Sequence, residues 1–201
     1  MSGKVYLVDG SGYIFRAFYA VAPLTTKDGF PTNALFGYTR MLLKLIDDAR
    51  TNHMLVAFDT GRDTFRKEMY SPYKANRVEC PKELELQMPY FREITSALGF
   101  AIMELPGYEA DDVIGTLVRK LSAGGVETVV ISGDKDLLQL VGPGVSVWDP
   151  MHEKHYGPQE VKAKFGLGPE KVVEFLGLTG DSSDNVPGLK GVGPKTALQL
   201  L

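Results

Sequence analysis

The chain alternates short apolar runs, rich in β-branched residues, with longer segments whose apolar residues recur at the 3.6-residue period of a helix. The runs lie at Val5–Val8, Met54–Phe58, Ala101–Leu105, Val129–Ile131 and Val145–Trp148, and the helical segments at Ala34–Ala49, Glu83–Leu98, Asp111–Ala123 and Lys135–Val141. Such alternation is typical of βαβ units, in which parallel strands form a central sheet between helices. Runs that are apolar at almost every position fit strands that are buried on both faces. We therefore predict an α/β fold with a mostly parallel central sheet.

The pattern changes at about Gly157. Two short helices are predicted, over Pro158–Phe165 and Pro169–Leu178, and each has proline in its first turn. A polar loop (TGDSSDNVPG), a glycine-containing turn (LKGVGPK) and a last helix that runs to Leu201 follow. We predict a core over residues 1–156 and a small helical lobe over residues 157–201, which the chain does not complete.

Composition excludes several classes of protein. With 44% hydrophobic and 23% charged residues, the chain has the make-up of a globular protein and not of a disordered chain or a coiled coil. The single cysteine, Cys80, excludes an intramolecular disulfide and a cysteine-rich zinc site. His152 and His155 lie in a polar stretch that we interpret as a solvated loop and not as a metal site. Because no apolar run approaches the ~20 residues that span a bilayer, and MSGKVYLVDG leads straight into a strand, we expect a soluble protein of a reducing compartment.

Acidic residues follow four of the predicted strands. They are Asp9 in VYLVD, Asp59 in LVAFD, Glu109, Asp111 and Asp112 in PGYEADD, and Asp134 and Asp136 in ISGDKD. Each acid alone could be the N-cap of the next helix, and for Asp111 or Asp134 taken singly this is the preferred interpretation. The carboxyl ends of parallel strands face one crevice, however, and several carboxylates there repel unless a cation compensates them. Oxygen ligands without His or Cys indicate a hard ion, Mg²⁺ or Mn²⁺.

Two more acids, Asp181 and Asp184, lie three residues apart in TGDSSDN. In a helical turn this spacing would place both on one face, although an Asp-rich solvated turn explains it equally well. Taken with the other acids, the pair predicts that the lobe covers the crevice and supplies a second ion. Two ions about 3.5–4 Å apart form the clamp that is used for in-line phosphoryl displacement.

Residues 61–81, GRDTFRKEMYSPYKANRVECP, are basic and follow directly on Asp59. The cations are Arg62, Arg66, Lys67, Lys74 and Arg77, and the aromatic residues among them are Phe65, Tyr70 and Tyr73. Cations that follow phosphates and rings that stack on bases suit single-stranded nucleic acid, whereas the alternative is a solubilising surface loop. Arg16, in the loop after Asp9, favours the first interpretation.

The segment LKGVGPKTALQLL superficially resembles a phosphate-binding P-loop. The P-loop pattern requires a preceding strand and GxxxxGK followed by Ser or Thr, and neither condition is met. We instead predict a hairpin between two helices, in which Gly191 and Gly193 expose backbone N–H groups to a phosphate and Lys195 adds positive potential. The alternative is an ordinary packing corner between helices.

Five segments resemble the 5′-nuclease (flap-endonuclease) family, which includes the 5′-nuclease domain of bacterial DNA polymerase I. They are VDGSGYIFRAFYA, AFDTGRDTFRKEMYSPYKANR, PGYEADDVIGTL, ISGDKDLLQLV and TGDSSDNVPGLKGVGPKTA, in the family's order and over nearly the whole chain. The resemblance implies a PIN-like sheet flanked by helices, a helical arch at about 61–82, and a lobe that carries a helix–three-turn–helix element for duplex DNA. The family's domain normally continues beyond residue 201, which implies that this element is cut short here.

The resemblance also implies roles for individual residues. By resemblance, a first metal cluster with Asp59 near it consists of Asp9, Glu109, Asp111, Asp112 and Asp134. A second cluster consists, also by resemblance, of Asp136, Asp181 and Asp184. Lys74 and Arg77 resemble the family's catalytic arch cations, which lie beside the scissile phosphate. Arg16 and Arg66 resemble further residues that contact DNA. Tyr73 resembles a residue that stacks on a base. The implied cofactors are two Mg²⁺ ions, which Mn²⁺ can replace, and a K⁺ ion held by backbone at about 189–192.

The expected activity is metal-dependent 5′-3′ exonuclease and flap endonuclease cleavage of DNA in replication and repair. The expected partners are DNA with a 5′ flap, nick or 5′ end and a polymerase domain in the same polypeptide. We expect a monomer in the bacterial cytoplasm, associated with the nucleoid and not with a membrane. Two alternatives stay open: a structure-specific DNA-binding module with little cleavage, and a PIN-type ribonuclease.

The charge balance of the chain, 22 basic against 25 acidic residues, at first argues against a nucleic-acid binder. Nine of the acids are the predicted metal ligands. Without them the remaining chain has 16 acidic and 22 basic residues, a net charge of +6. The acidity is therefore predicted to be concentrated in a metal site, with a basic surface around it.

Overall fold

A computed structural model describes residues 3–51, 53–61 and 63–201. The main sheet consists of β1 (Val5–Asp9), β2 (Met54–Ala57), β3 (Ala101–Met103), β4 (Thr128–Ile131), β5 (Val145–Asp149) and β6 (Lys154–Tyr156). The strand order is β3-β2-β1-β4-β5-β6, in which β1 to β5 are parallel and β6 is antiparallel to β5. The predicted mostly parallel sheet is confirmed, and β1 lies at its centre.

The helices connect the strands and build the C-terminal part. They are α1 (Gly10–Ala20), α2 (Asn33–Ala49), α3 (Phe65–Met69), α4 (Lys82–Glu85), α5 (Met88–Ala97), α6 (Ala110–Ala123), α7 (Pro158–Phe165), α8 (Val172–Thr179) and α9 (Pro194–Leu200). Single 3₁₀ turns cover Asp136–Leu140 and Pro169–Lys171, and a small hairpin pairs β7 (Gly180–Asp181) with β8 (Val186–Pro187). Within the described ranges, no helix has the length and apolarity that a membrane crossing requires.

The apolar core lies on both faces of the sheet. Successive residues of a strand point to opposite faces, and in β1 Leu7 belongs to one core cluster and Val8 to the other. The same division separates Val130 from Ile131 in β4. All four side chains are at most 1% exposed. This double burial explains why these strands read as continuous apolar runs.

Several predicted helices differ in detail from those observed. The predicted helix over Glu83–Leu98 is two helices, α4 and α5, because Pro89 in the first turn of α5 cannot donate a backbone hydrogen bond. The predicted helix over Lys135–Val141 is a 3₁₀ turn. Helix α1 was not predicted, because its first turn contains two glycines, which have low helix propensity. Its N-cap is Asp9, whose carboxylate accepts a hydrogen bond from Gly12 N at 2.8 Å.

A helical turn at Asp181 and Asp184, one of the two interpretations of their spacing, is wrong. Asp181 ends β7, and the chain turns back through residues 182–185 to β8. Asn185 has a φ of 56°, in the left-handed region that a tight turn uses. The two carboxylates therefore do not share a helix face but point to different partners.

The arch segment, residues 63–82, folds over the carboxyl edge of the sheet and contacts the tip of this hairpin, residues 182–185. Lys74 N donates to Asp184 O at 2.9 Å. Asn76 Nδ2 donates to Ser182 O at 2.8 Å, and Asn185 Nδ2 donates to Pro72 O at 2.7 Å. These three hydrogen bonds join the arch segment to the lobe. Arg62, which the sequence places among the basic residues, lies outside the described residues.

Candidate active site

The carboxyl edge of the sheet collects acids from neighbouring strands. Asp9 ends β1, and Asp134 follows β4 within two residues of Ser132. Ser132 Oγ donates to Asp9 Oδ2 at 2.9 Å and accepts from Asp134 N at 3.0 Å. Asp59 follows β2, and its Oδ1 accepts from Ala110 N at 2.7 Å, at the start of α6. The acids that follow these parallel strands thus lie together at the carboxyl edge of the sheet, as the sequence predicts.

Asp111 shows how strongly these acids interact. Burial raises the pKa of Asp111 to about 8, and the negative charges of Asp9, Asp134 and Asp59 act in the same direction. Burial also raises the pKa of Asp9, against the hydrogen bonds from Gly12 and Ser132. Asp111 does not cap α6, whose N-cap is Glu109. The interpretation of Asp111 as an N-cap is therefore wrong, and helix capping does not explain this buried carboxyl group.

Asp112 and Glu109 close the N-terminus of α6 in a capping box. Asp112 Oδ2 accepts from Glu109 N at 3.0 Å. Arg66 of the arch segment donates to both Asp112 oxygens, at 2.6 and 2.7 Å. Although burial acts to raise it, the pKa of Asp112 lies below its ordinary value because Arg66 and the Glu109 N–H stabilise the carboxylate.

Lys74, Tyr73 and Arg77 connect Glu109 with Asp184. Lys74 Nζ lies 2.8 Å from Glu109 Oε2 and 3.6 Å from Asp184 Oδ2. The Tyr73 hydroxyl lies 3.0 Å from the same Glu109 oxygen and 3.1 Å from Asp184 Oδ2. Arg77 Nη2 donates to the other Asp184 oxygen at 2.5 Å. Asp184, predicted for the second cluster, is therefore joined to Glu109 of the first. Tyr73 is only 8% exposed, so its stacking role stays a prediction.

Asp136 and Asp181 form a separate group with Lys135. Lys135 Nζ lies 3.2 Å from Asp181 Oδ2. Burial and the charge of Asp134 raise the pKa of Asp136. The Oδ1 atom of Asp136 is buried and has no hydrogen-bond partner, which is unusual for a carboxylate oxygen. A cation at this oxygen would satisfy it.

Two clefts flank these acids. One of about 570 Å³ is lined by Glu109, Asp111, Asp112, Asp136, Asp181 and Asp184 together with Arg66 and Tyr73. The other, of about 600 Å³, lies between the arch segment and the sheet edge, with Phe15, Phe58 and Met88 as apolar lining and Lys67, Lys74, Arg77 and Arg92 as cations. An acidic cleft beside a cationic and aromatic one suits a phosphate-containing polymer.

The donor set fits hard divalent ions. It consists of carboxylate oxygens, it includes three acids whose pKa burial raises, and it contains the unpartnered oxygen of Asp136. Among residues 3–51, 53–61 and 63–201, no three His, Cys, Asp or Glu side chains are arranged to hold an ion as they stand. Several of the carboxylates are instead paired with Arg66, Lys74, Arg77 and Lys135. An ion at Glu109, Asp112, Asp181 or Asp184 would therefore compete with these cations.

Four more predicted DNA contacts are Gly191, Gly193 and Lys195 of the lobe and Arg16 of α1. Gly191 has a φ of 81° and follows the hairpin, Gly193 is the N-cap of α9, and Lys195 is exposed in its first turn. This places Gly191, Gly193 and Lys195 on the surface of the lobe, and their DNA-binding role stays a prediction. Arg16 lies on α1, where it pairs with Asp149 at 3.3 Å.

Sequence reasoning missed Ser132 and Asp149. Ser132 bridges Asp9 and the backbone of Asp134, and nothing in its sequence context distinguishes it from an ordinary loop serine. Asp149 carries the same signal as Asp9, because VSVWD, like VYLVD, is an apolar strand that ends on an acid. The apolar run that predicts this strand ends at Trp148, one residue before the acid.

Curated relatives resemble almost all of this chain. A 5′-3′ exonuclease of Aquifex aeolicus (strain VF5) is 46% identical over 197 residues, which are 98% of this chain and 68% of the relative. The DNA polymerase I of Rhizobium leguminosarum is 48% identical over 205 residues, again 98% of this chain but 20% of the relative. The polymerase I of Bacillus subtilis (strain 168) is 45% identical, with 23% of its length covered. The chain thus spans only about a fifth to a quarter of these polymerases.

Solved structures share the fold. The bacteriophage T5 flap endonuclease, in a pseudo-enzyme–product complex with DNA and metal ions, has a TM-score of 0.78 at 23% identity, with 98% of this chain and 74% of that one covered. Human GEN1, in complex with Holliday junction DNA, has a TM-score of 0.55 at 17% identity, with 99% and 49% covered. The similarity confirms the predicted PIN-like α/β architecture.

Two family models match consecutive parts of the chain. The model of the 5′-3′ exonuclease N-terminal resolvase-like domain matches residues 4–166, and that of the 5′-3′ exonuclease C-terminal SAM fold matches residues 167–201. The division at residue 156 that the sequence suggests stays a prediction. Since the first model alone covers more than half of the chain and the Aquifex relative agrees with it, the chain belongs to the 5′-3′ exonuclease family.

Proposed function

We propose that this chain is the nuclease unit of a structure-specific 5′ nuclease, which hydrolyses phosphodiester bonds of DNA at 5′ flaps and 5′ ends. The observation that carries the proposal is the meeting of acids from β1, β2, β4, the start of α6 and the β7–β8 hairpin, with the cations of the arch segment among them. A structural role would not need so many mutually repelling carboxylates. Oxygen-rich acidic sites of this kind bind divalent ions for phosphoryl transfer.

The proposed metal ligands are the nine acids that the sequence singles out. Asp9, Asp59, Asp111 and Asp134 are the electrostatically linked group for a first ion, with Glu109 and Asp112 beside them. Asp136, Asp181 and Asp184 are proposed for a second. Mg²⁺, or Mn²⁺ in its place, would supply the Lewis acidity that activates water and stabilises a leaving oxygen. The proposed K⁺ site at about 189–192 would use backbone carbonyls of the lobe.

The arch cations have the second role in this proposal. When the acids bind ions, Lys74, Arg77 and Arg66 lose their carboxylate partners and can donate to the oxygens of a phosphodiester instead. There Lys74 and Arg77 would stabilise the negative charge that develops during displacement. No Ser, Cys or His acts as a nucleophile in this scheme, because water is the attacking group.

The biological setting is part of the same proposal. Removal of primers and processing of Okazaki fragments, together with repair, are processes that generate 5′ flaps. Since relatives named DNA polymerase I are four to five times as long as this chain, a polymerase domain in the same polypeptide is the proposed partner. We propose a monomer that acts on DNA in the bacterial cytoplasm, near the nucleoid.

Cleavage of a 5′-labelled DNA flap, with sizing of the products, tests the proposal. We expect cleavage near the flap base with Mg²⁺ and none with EDTA, and a loss of at least 100-fold in Asp134→Ala or Asp112→Ala. Asp28→Ala is the matched control, because Asp28 lies in an exposed turn between α1 and α2. Wild-type rates in Asp134→Ala would refute the site assignment. DNA binding without metal-dependent cleavage would identify a binding module, and preferential cleavage of single-stranded RNA would identify a PIN-type ribonuclease.

A further inference from the structure

Asp149 is a buried carboxylate that the proposed metal site does not use. It ends β5 and is 4% exposed. Its Oδ1 accepts from Arg16 Nη1 at 3.3 Å and from Met151 N at 3.2 Å, and its Oδ2 lies 2.7 Å from His152 Nδ1. Although burial acts to raise it, the pKa of Asp149 lies below its ordinary value because His152 and Arg16 stabilise the charge. Both oxygens are therefore held in fixed directions.

Arg16 extends from α1 across the backbone of Gly133. A Cβ atom built on Gly133 would overlap the Arg16 guanidinium, to which all three of its nearest atoms belong. The guanidinium shares a cleft of about 350 Å³ with Asp9, Asp134 and Lys135. Glycine at position 133 thus gives Arg16 room beside the acids at the ends of β1 and β4.

Asp149 decides where this guanidinium points. Arg16 lies near Asp9 and Asp134, either of which would attract it into the acidic site if no other carboxylate held it. Asp149 occupies only one edge of the guanidinium, so several of its five N–H donors are left to bind a planar anion. A side chain that is held in place in advance also loses less rotamer freedom when it binds.

We propose that Asp149 is a positioning residue, which holds Arg16 over Gly133 so that its guanidinium binds a phosphate of the DNA strand entering the site. This proposal rests on the proposed function, because it takes DNA as the ligand. Asp149 itself touches neither DNA nor an ion. The competing explanation is that Asp149 only orders the turn after β5 through Met151 and His152.

A double-mutant cycle separates the two explanations. The probe is a fluorescent 5′-flap DNA, bound in EDTA at several salt concentrations so that no cleavage occurs. We expect Arg16→Ala to weaken binding about tenfold and to reduce the slope of log affinity against log salt by about 0.9, the value for one lost phosphate contact. In the wild-type background, Asp149→Asn should also weaken DNA binding and reduce the salt slope. In the Arg16→Ala background, it should change neither the affinity nor the slope. A purely structural role predicts additive losses and an unchanged salt slope.

Gly133→Ala displaces the guanidinium by an independent route, so the proposal can be tested even if Asp149→Asn folds poorly. It should weaken binding as Arg16→Ala does and have no effect when Arg16 is already Ala. Asp48→Asn is the control for the change in charge, because Asp48 forms an exposed ion pair with Lys44 on α2, and it should leave the slope unchanged. Additive losses in both cycles overturn this inference alone. Intact DNA binding without Mg²⁺-dependent cleavage overturns the proposed function alone, and no binding by the wild type overturns both.

Discussion

At the scale of single residues, the Asp111 carboxyl group lies in a place that disfavours its charged form. Its pKa is raised to about 8 by burial and by the neighbouring acids, whereas it is 3.8 for an ordinary Asp. Below pH 4 the group is protonated in both the folded and the unfolded chain, so it does not affect stability. Above that pH the unfolded chain ionises first, and the cost of folding grows until the pH reaches the folded pKa.

Asp111→Asn should therefore stabilise the protein in EDTA at pH 7–8, by on the order of 2 kcal/mol. Such a gain corresponds to a rise in Tm of about 4–8 °C for a chain of this size. The gain should shrink as the pH falls and vanish near pH 4. Thermal unfolding from pH 4 to pH 8 measures this, with Asp28→Asn as control. A difference between variant and wild type that does not depend on pH would contradict the burial of an ionisable Asp111.

Lys74 is the residue whose loss should separate catalysis from folding. It lies within reach of both Glu109 and Asp184, and its backbone has a φ of 56° in the left-handed region. We expect Lys74→Gln to lower the single-turnover rate of flap cleavage about 100-fold, since one donor to the reacting phosphate is lost. The control is Lys44→Gln, which removes a lysine from the exposed ion pair on α2. An unchanged rate in Lys74→Gln would show that Lys74 does not take part in the chemical step.

At the scale of elements, α1 depends on a close approach at its first residue. A Cβ atom on Gly10 would overlap the Phe58 ring and Val56 Cγ1, and both side chains are fully buried. We expect Gly10→Ala to destabilise the protein by about 1–3 kcal/mol, because a packed core must shift to accept the methyl group. Urea unfolding at neutral pH measures the change.

Gly115→Ala in the middle of α6 is the matched substitution. There the nearest atom to a new Cβ is Leu140 Cδ2 at an ordinary 3.8 Å. Alanine should raise helix stability at this position by about 0.5–1 kcal/mol. Equal effects of the two substitutions would show that helix propensity, and not packing at Gly10, determines the stability of α1.

Some of these helices and strands can be predicted from sequence patterns, and others cannot. The central strands were predictable because double burial requires apolar residues at successive positions, as in Leu7 and Val8. Helix α1 was not predictable from its sequence. Its N-terminus is stabilised by tertiary packing and by the Asp9 cap, which outweigh the low helix propensity of glycine. The β7–β8 hairpin was missed because strands of two residues have no periodicity to detect.

The candidate site was predictable to a similar extent. The positions of Asp9, Asp59 and Asp134 follow from topology alone, since parallel strands end at one edge. The contacts of Tyr73 and Lys74 with Asp184 do not, because they depend on how the arch segment and the hairpin tip pack together. Contacts between residues more than a hundred positions apart leave no local signal in the sequence.

At the scale of the whole molecule, the arch segment and the lobe meet across the acidic cleft. Arg66, Lys74 and Arg77 come from the arch segment, and their carboxylate partners come from α6 and from the hairpin. These ion pairs lower the repulsion among Glu109, Asp112 and Asp184, so the charge of these three acids is partly balanced before any divalent ion binds. We therefore expect Mg²⁺ to raise the wild-type Tm by less than it would raise the Tm of a chain without these three cations.

The triple variant Arg66→Gln, Lys74→Gln, Arg77→Gln should behave differently. Without these three tethered cations among the acids, its Tm in EDTA should be lower than that of the wild type, and Mg²⁺ should raise it by several degrees. Differential scanning calorimetry with and without Mg²⁺ measures both shifts. The control is a variant with the same loss of three charges outside the cleft, at Lys44, Lys171 and Lys4. Equal Mg²⁺ shifts in the wild type and the triple variant would contradict a balancing role for the arch cations.

The ion pairs between arch and cleft also couple two ligands. Each tethered Lys or Arg is a competitor of a divalent ion, present at the high effective concentration of a group on the same chain. A DNA phosphate that attracts Lys74 or Arg77 removes this competitor, and ion affinity rises as a result. By thermodynamic reciprocity, a bound ion must increase DNA affinity by the same factor. Under the proposed function, we therefore expect metal to bind most readily when DNA is present, so that the two ligands bind cooperatively.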